Sequence, residues 1–161
     1  MAVFERSSLI RAPFEAVWTF HSTVRGLEAV TPGWFNLDVD RVVGPDGEPE
    51  PEELVEGSAV HLSMRPLGVG PRQSWTSEIT NRERGDGHGE FTDEMADGPF
   101  RRWRHTHRFE AVDGGTRLTD RIEYQLPLGP AAGLSWAAWP GFAAMFAARH
   151  RATRRALEER A

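Results

Sequence analysis

The chain has 161 residues, a net charge of −5, and 39% hydrophobic and 27% charged residues, a size that fits one domain able to bury roughly two-thirds of its unfolded surface. It contains no cysteine, and its 19 basic side chains besides histidine are all arginine. Disulfides, thiolate nucleophiles, cysteine-ligated metals, Schiff-base lysines and Walker-type phosphate loops are therefore excluded.

The start, MAVFERSSLIRAPF, lacks the charged region and apolar core of a secretory signal, and no apolar run approaches the ~20 residues of a spanning helix. A soluble, cytoplasmic protein without stable membrane insertion is expected. VFERSSLI (3–10) reads as a strand. APFEAVWTFHS follows with Pro13 at a plausible first helical position and with Phe14, Val17, Trp18 and His21 on one helical face. Thr31-Pro32-Gly33 is turn chemistry, after which Phe35, Leu37 and Val39 alternate as a strand.

GPDGEPEPEELVEG (44–57) carries six acids and no base. Its proline and glycine content marks a solvated loop. Outside it, 18 acids face 19 arginines, a balance too close to neutral to drive nucleic-acid binding. Strands follow in SAVHLSMR (Val60, Leu62, Met64), QSWTSEIT (Trp75, Ser77, Ile79) and EFTDEM (Phe91, Asp93, Met95), the succession of an antiparallel sheet.

RRWRHTHRF (101–109) resolves by its period. As a strand it turns Trp103, His105, His107 and Phe109 to one face and Arg102, Arg104 and Arg108 to the other. Outward acids such as Glu123 on the adjoining strand account for those arginines as cross-strand ion pairs. Asp113-Gly114 is a hairpin signal, and taking it as a two-residue loop sets Phe109 opposite Leu118, His107 opposite Asp120, His105 opposite Ile122 and Trp103 opposite Tyr124. The inward face then holds three polar intruders: His105, His107 and Asp120. A His107/Asp120 hydrogen bond is the economical arrangement, and it reads either as a satisfied core contact or as an acid–base pair lining a cavity. His105-x-His107 also places two imidazoles side by side, with Asp120 available as a third ligand. No closing ligand is visible, so neither a metal nor any other cofactor is expected. Trp136 and Trp139 read equally as a gate to a cavity or as a surface staple. A final helix, roughly Phe142 to Glu159, follows a break at Pro140-Gly141.

The order of strand, APFEAVW helix, TPGW, long sheet, FTDEMADGPFRRWRHTHRFEAVDGGTRLTDRIEYQLPLG and a helix ending FAARHRATRRAL resembles the START-like superfamily over nearly the whole chain. That group, also called SRPBCC or helix-grip, includes polyketide cyclases/dehydrases and lipid-transport proteins. The resemblance implies an α+β helix-grip fold over 1–161, with a curved antiparallel sheet wrapped around a long C-terminal helix and a cavity between them. It would make Trp75, Phe91, Asp93, Trp103, His105, His107, Asp120 and Tyr124 the sheet's share of the lining. Phe142, Met145, Phe146 and Arg149 would be the helix's share. The expected function is binding of a small or medium hydrophobic ligand, lipid or polyketide-like, as carrier or sensor, by a monomer or homodimer. The alternatives are a cyclase or dehydratase using His107 and Asp120 with Tyr124 as donor, and a filled core without ligand.

Overall fold

The computed structural model describes residues 1–158. In chain order the elements are β1 (Ala2–Ile10), α1 (Phe14–His21), α2 (Val24–Val30), β2 (Asp38–Val43), β3 (Ala59–Met64), β4 (Gln73–Gly85), β5 (His88–Ala96), β6 (Arg102–Val112), β7 (Gly115–Gln125) and α3 (Trp139–Glu158). Short 3₁₀ segments lie at Gly33–Phe35, Pro66–Gly68 and Gly129–Ala138. The strands form one curved antiparallel sheet in the order β1-β7-β6-β5-β4-β3-β2, and α3 lies across it from β1 to α2. This is the helix-grip arrangement of the α+β class. Irregular register between Ile79 and Asn81 interrupts the long β4, and such bulges bend a strand and let a sheet curl.

The β6/β7 hairpin has the register read from its turn: Trp103 faces Tyr124, His105 faces Ile122, His107 faces Asp120, Phe109 faces Leu118 and Val112 faces Gly115. Arg102, Arg104 and Arg108 are on the solvent side. Arg108 donates to Glu90 at 2.7 Å, and Arg104 lies between Glu94 and Glu123 on the flanking strands.

Three local expectations are corrected, and one element was not anticipated. Residues 24–30 form α2, capped by Thr23, whose side chain accepts from the Gly26 N–H at 3.1 Å. Phe35 sits in a 3₁₀ turn and Asn36 is left-handed (φ 51°), so β2 starts only at Asp38. Pro13 caps α1 rather than opening it. Pro140 and Gly141 lie inside the first turn of α3, where proline's missing N–H costs no helical bond; Glu159 lies outside the described residues. The acidic loop is largely exposed, but Leu54 within it is buried and donates its N–H to Ser22 O at 2.8 Å.

Two apolar clusters make the core. One gathers Ile10, Phe14, Trp18, Phe91, Phe109 and Leu118, and the other Phe4, Ile122, Tyr124, Phe142 and Phe146. Between them β1, β7 and β6 turn polar residues inward where apolar ones flank them. The chain passes from Phe4 through Ser8 to Ile10 on β1, from Leu118 through Asp120 to Ile122 on β7, and from Trp103 through His105 and His107 to Phe109 on β6.

Candidate functional site

That polar belt is two hydrogen-bonded runs that meet where the rings of His105 and His107 lie side by side. Asp120 on β7 accepts from His105 Nε2 at 2.7 Å through Oδ1 and from His150 Nε2 of α3 at 2.6 Å through Oδ2. His150 Nδ1 is 2.6 Å from Ser8 Oγ on β1. On β6 the imidazoles of His105 and His107 lie with centroids 3.7 Å apart. His107 Nε2 donates to Asp93 Oδ2 on β5 at 3.1 Å, and Ser77 on β4 donates to Asp93 Oδ1 at 3.1 Å. His105, His107, Asp120 and His150 are all at most 6% exposed, so water cannot substitute for these partners.

Proton placement follows from these contacts. Burial pushes the Asp120 carboxyl up, but hydrogen-bonded His105 and His150 and the close ring of His107 prevail and hold it well below the usual carboxylate range. Asp93 is likewise brought below its ordinary value, against burial, by His107, His105 and Ser77. Burial works against a charged His107, yet the two carboxylates win and raise its pKa. Burial and the neighbouring His107 lower that of His105. Two imidazoles this close cannot both be charged cheaply, so a single proton on the pair favours His107 over His105. His21, bonded through Nδ1 to Val17 O at 2.9 Å, is pushed down to about 3, chiefly by burial.

A cavity of about 190 Å³ lies between sheet, α2 and α3. Trp75, Phe91, Asp93, Trp103, His105, His107, Phe142, Met145, Phe146 and Arg149 all line it. Asp120 and Tyr124 do not. Asp120 sits behind the two histidines, and Tyr124, fully buried, packs on Phe142 at 4.6 Å with its hydroxyl unpartnered. The His107/Asp120 acid–base arrangement is corrected accordingly. His107 Nδ1 comes within 3.1 Å of Asp120 Oδ1 without hydrogen-bond geometry, and the carboxylate beside His107 at the cavity is Asp93. Tyr124 is not placed to donate to a molecule in the cavity. Arg149 Nη1 reaches Thr31 Oγ1 at 3.4 Å, with its guanidinium over the Phe146 ring. Trp136 and Trp139 are half or more exposed and lie off the cavity, Trp139 packing on Phe4 at 5.4 Å. Ligand atoms of Asp93, His105 and His107 lie within 4.8 Å of one another, the reach of one metal ion.

Several members escaped the sequence. His150 continues the Phe142–Phe146 stripe by one further turn, so its inward position was legible from helical spacing. Leu27, Val30 and Thr31 line the cavity from α2, which sequence patterning did not reveal. Among the described residues no helix is long and apolar enough to cross a membrane.

No curated protein matches the chain. Among solved structures, a protein from Mycobacterium smegmatis is similar at 20% identity and TM-score 0.67, covering 99% of this chain and 92% of the other. A Thalictrum flavum norcoclaurine synthase point mutant, solved with a transition-state analogue, aligns at 16% identity and TM-score 0.68 over 99% and 95% of the two chains. A major latex-like protein from Panax ginseng aligns at 14% identity and TM-score 0.63 over 97% of each. At these identities the likeness is one of fold. The family model described as polyketide cyclase / dehydrase and lipid transport matches residues 10–147, most of the chain, and the protein belongs to that family.

Proposed function

We propose that the protein binds a small apolar molecule bearing one hydrogen-bonding group, in the cavity between the sheet and α3, as a carrier or sensor. The observation that carries this reading is the cavity itself: aliphatic and aromatic walls with Asp93, His105 and His107 gathered at one place on them. Its volume of about 190 Å³ compares with ~150 Å³ for an engineered cavity that accepts benzene. A single ring or a short chain fits; a lipid tail would need the walls to move. Uptake of one-ring probes such as toluene and phenol, followed by NMR shifts of the lining residues, tests this. Trp103→Ala, which removes an aromatic wall, should weaken binding of toluene about tenfold, while His107→Gln should leave toluene unaffected and weaken phenol. Failure of the native protein to take up any such probe would refute the reading.

The adjacency of His107, whose pKa is raised, and Asp93, whose pKa is lowered, both facing the cavity, favours a second reading, proton transfer on a bound carbonyl compound of the cyclase or dehydratase type. Norcoclaurine synthase shows that this fold accommodates an enzyme. Exchange of the α-protons of a small aryl ketone into deuterated water, faster with native protein than with Asp93→Asn or His107→Gln, is the expected signature. Equal rates in all three would leave binding as the function.

A further inference from the structure

We infer that Asp93, His105 and His107 form a binding site for one divalent transition-metal ion, open to the apolar cavity. The inference shares that cavity but does not depend on the apolar ligand. It begins with a mismatch between lone pairs. His105 gives its Nε2–H to Asp120 Oδ1 at 2.7 Å, so in the neutral ring Nδ1 carries a lone pair. That nitrogen faces Asp93 Oδ2 at 3.7 Å, so two acceptors look at each other across a gap in a buried place. Either a proton on Nδ1 or a cation between the two atoms resolves the mismatch, and only the cation also engages His107. His107 Nε2, 3.1 Å from the same Oδ2, supplies the third donor once its proton leaves.

The spacing suits coordination. Arms of ~2.1 Å put neighbouring donors about 3.0 Å apart in octahedral and about 3.4 Å apart in tetrahedral geometry. The distances of 3.1 and 3.7 Å bracket the latter within small side-chain rotations. Two imidazoles and one carboxylate on adjacent strands are the ligand set of zinc and iron(II) sites that keep positions open for another ligand, and here the open side faces the cavity.

The surroundings have the form of an outer shell. Asp120 stands behind both histidines, bonded to Nε2 of His105 and 3.1 Å from Nδ1 of His107. It is held in turn by His150 at 2.6 Å. Ser77 ties down Asp93 Oδ1 and leaves Oδ2 for the ion. Carboxylates behind ligating imidazoles set ring orientation and basicity in metal sites, and losing one typically costs ~10–100-fold in affinity. A structural hydrogen-bond cluster would need Asp120 as much as this one does, but it would not need ligand atoms of Asp93, His105 and His107 to converge within 4.8 Å of one another.

The test uses the full-length protein stripped with EDTA and titrated with Co²⁺ and then Zn²⁺ in the absence of any apolar ligand. The expected result is one ion per chain, visible absorption bands from Co²⁺, and bleaching of those bands by Zn²⁺. Asp93→Asn should weaken Co²⁺ binding by more than ~100-fold and Asp120→Asn by ~10–100-fold, while His61→Gln, on the opposite side of its strand, should change nothing. Should Asp93→Asn fail to fold, paramagnetic shifts in the native protein decide the matter: Co²⁺ should displace the His105 and His107 ring resonances before any others. Absence of stoichiometric binding at 1 mM metal, on the order of the weakest useful affinity, would overturn the inference. So would binding that Asp93→Asn leaves intact or first shifts at His61 or His88. Because toluene uptake is measured separately, a protein that binds toluene but not Co²⁺ loses this inference alone.

Discussion

Asp120 is the residue on which the most interactions converge, and its charge has a defined stability profile. Its folded pKa is depressed, so its contribution is present above the ordinary carboxylate value and is lost as pH falls through the lower folded one. His107 is raised, so its share is complete below ~6.5 and is lost as pH rises through its folded value. The two overlap in the mildly acidic range. Asp120→Asn keeps the shape and removes the charge; the expected cost is about 3 kcal/mol near pH 6, smaller but not zero at pH 9, where the amide's single oxygen leaves one of His105 and His150 without an acceptor. NMR titration of the variant should also show the His107 pKa lowered, and an unmoved titration would refute the coupling. His21 behaves in the opposite sense to His107. Its folded pKa of about 3 lies below the unfolded ~6.5, so the unfolded chain binds more protons between them and stability falls as pH drops through that window. His21→Asn should flatten the decline by about 2 kcal/mol between pH 7 and pH 4, a figure discounted from the full shift because the ring is only half-buried. Denaturant midpoints at several pH values measure both effects.

Elements are joined at points where a side chain would not fit. A Cβ at Gly89 on β5 would lie 2.5 Å from Trp18 of α1, the indole that also meets Phe91 and Phe109 edge-on. Gly89→Ala should cost about 1–3 kcal/mol by overpacking, read as a lower urea midpoint at constant slope. Gly141, in the first turn of α3, has nothing within 4 Å of a built Cβ, and Gly141→Ala should stabilise by about 0.5–1 kcal/mol. The β6/β7 hairpin was legible because a two-residue turn and a two-residue period fix register together. α2 was not legible: seven residues interrupted by Gly26 leave too short a periodic signal, and its place is set by packing on α3 and under the cavity.

For the molecule as a whole, the cavity couples ligand to stability. A one-ring ligand at a hundredfold excess over its Kd adds ~2.7 kcal/mol, which for a chain of this length raises Tm by roughly 5–10 °C. Leu27→Trp, filling the cavity from α2, should abolish most of that shift while leaving the apo Tm within a few degrees. A full shift in the filled variant, followed by differential scanning, would place the ligand elsewhere.

The sequence by itself determined the sheet, the hairpin register, which side of each strand faces in, and the presence of histidines and aspartates among inward apolar residues. These rest on local rules of period two, turn chemistry and helical spacing, which act within a few residues or across one hairpin. Only the tertiary structure decided how the polar residues pair. Sequence reasoning matched His107 to Asp120 because they are cross-strand neighbours, whereas the fold gives Asp120 to His105 and His150 and gives His107 to Asp93. The physical reason is that a buried carboxylate has several lone pairs to satisfy and takes donors from every element packed against it. α3 brings His150 to Asp120 from 30 residues away in sequence, and the pairing of β5 with β6 sets Asp93 opposite His105 and diagonal to His107.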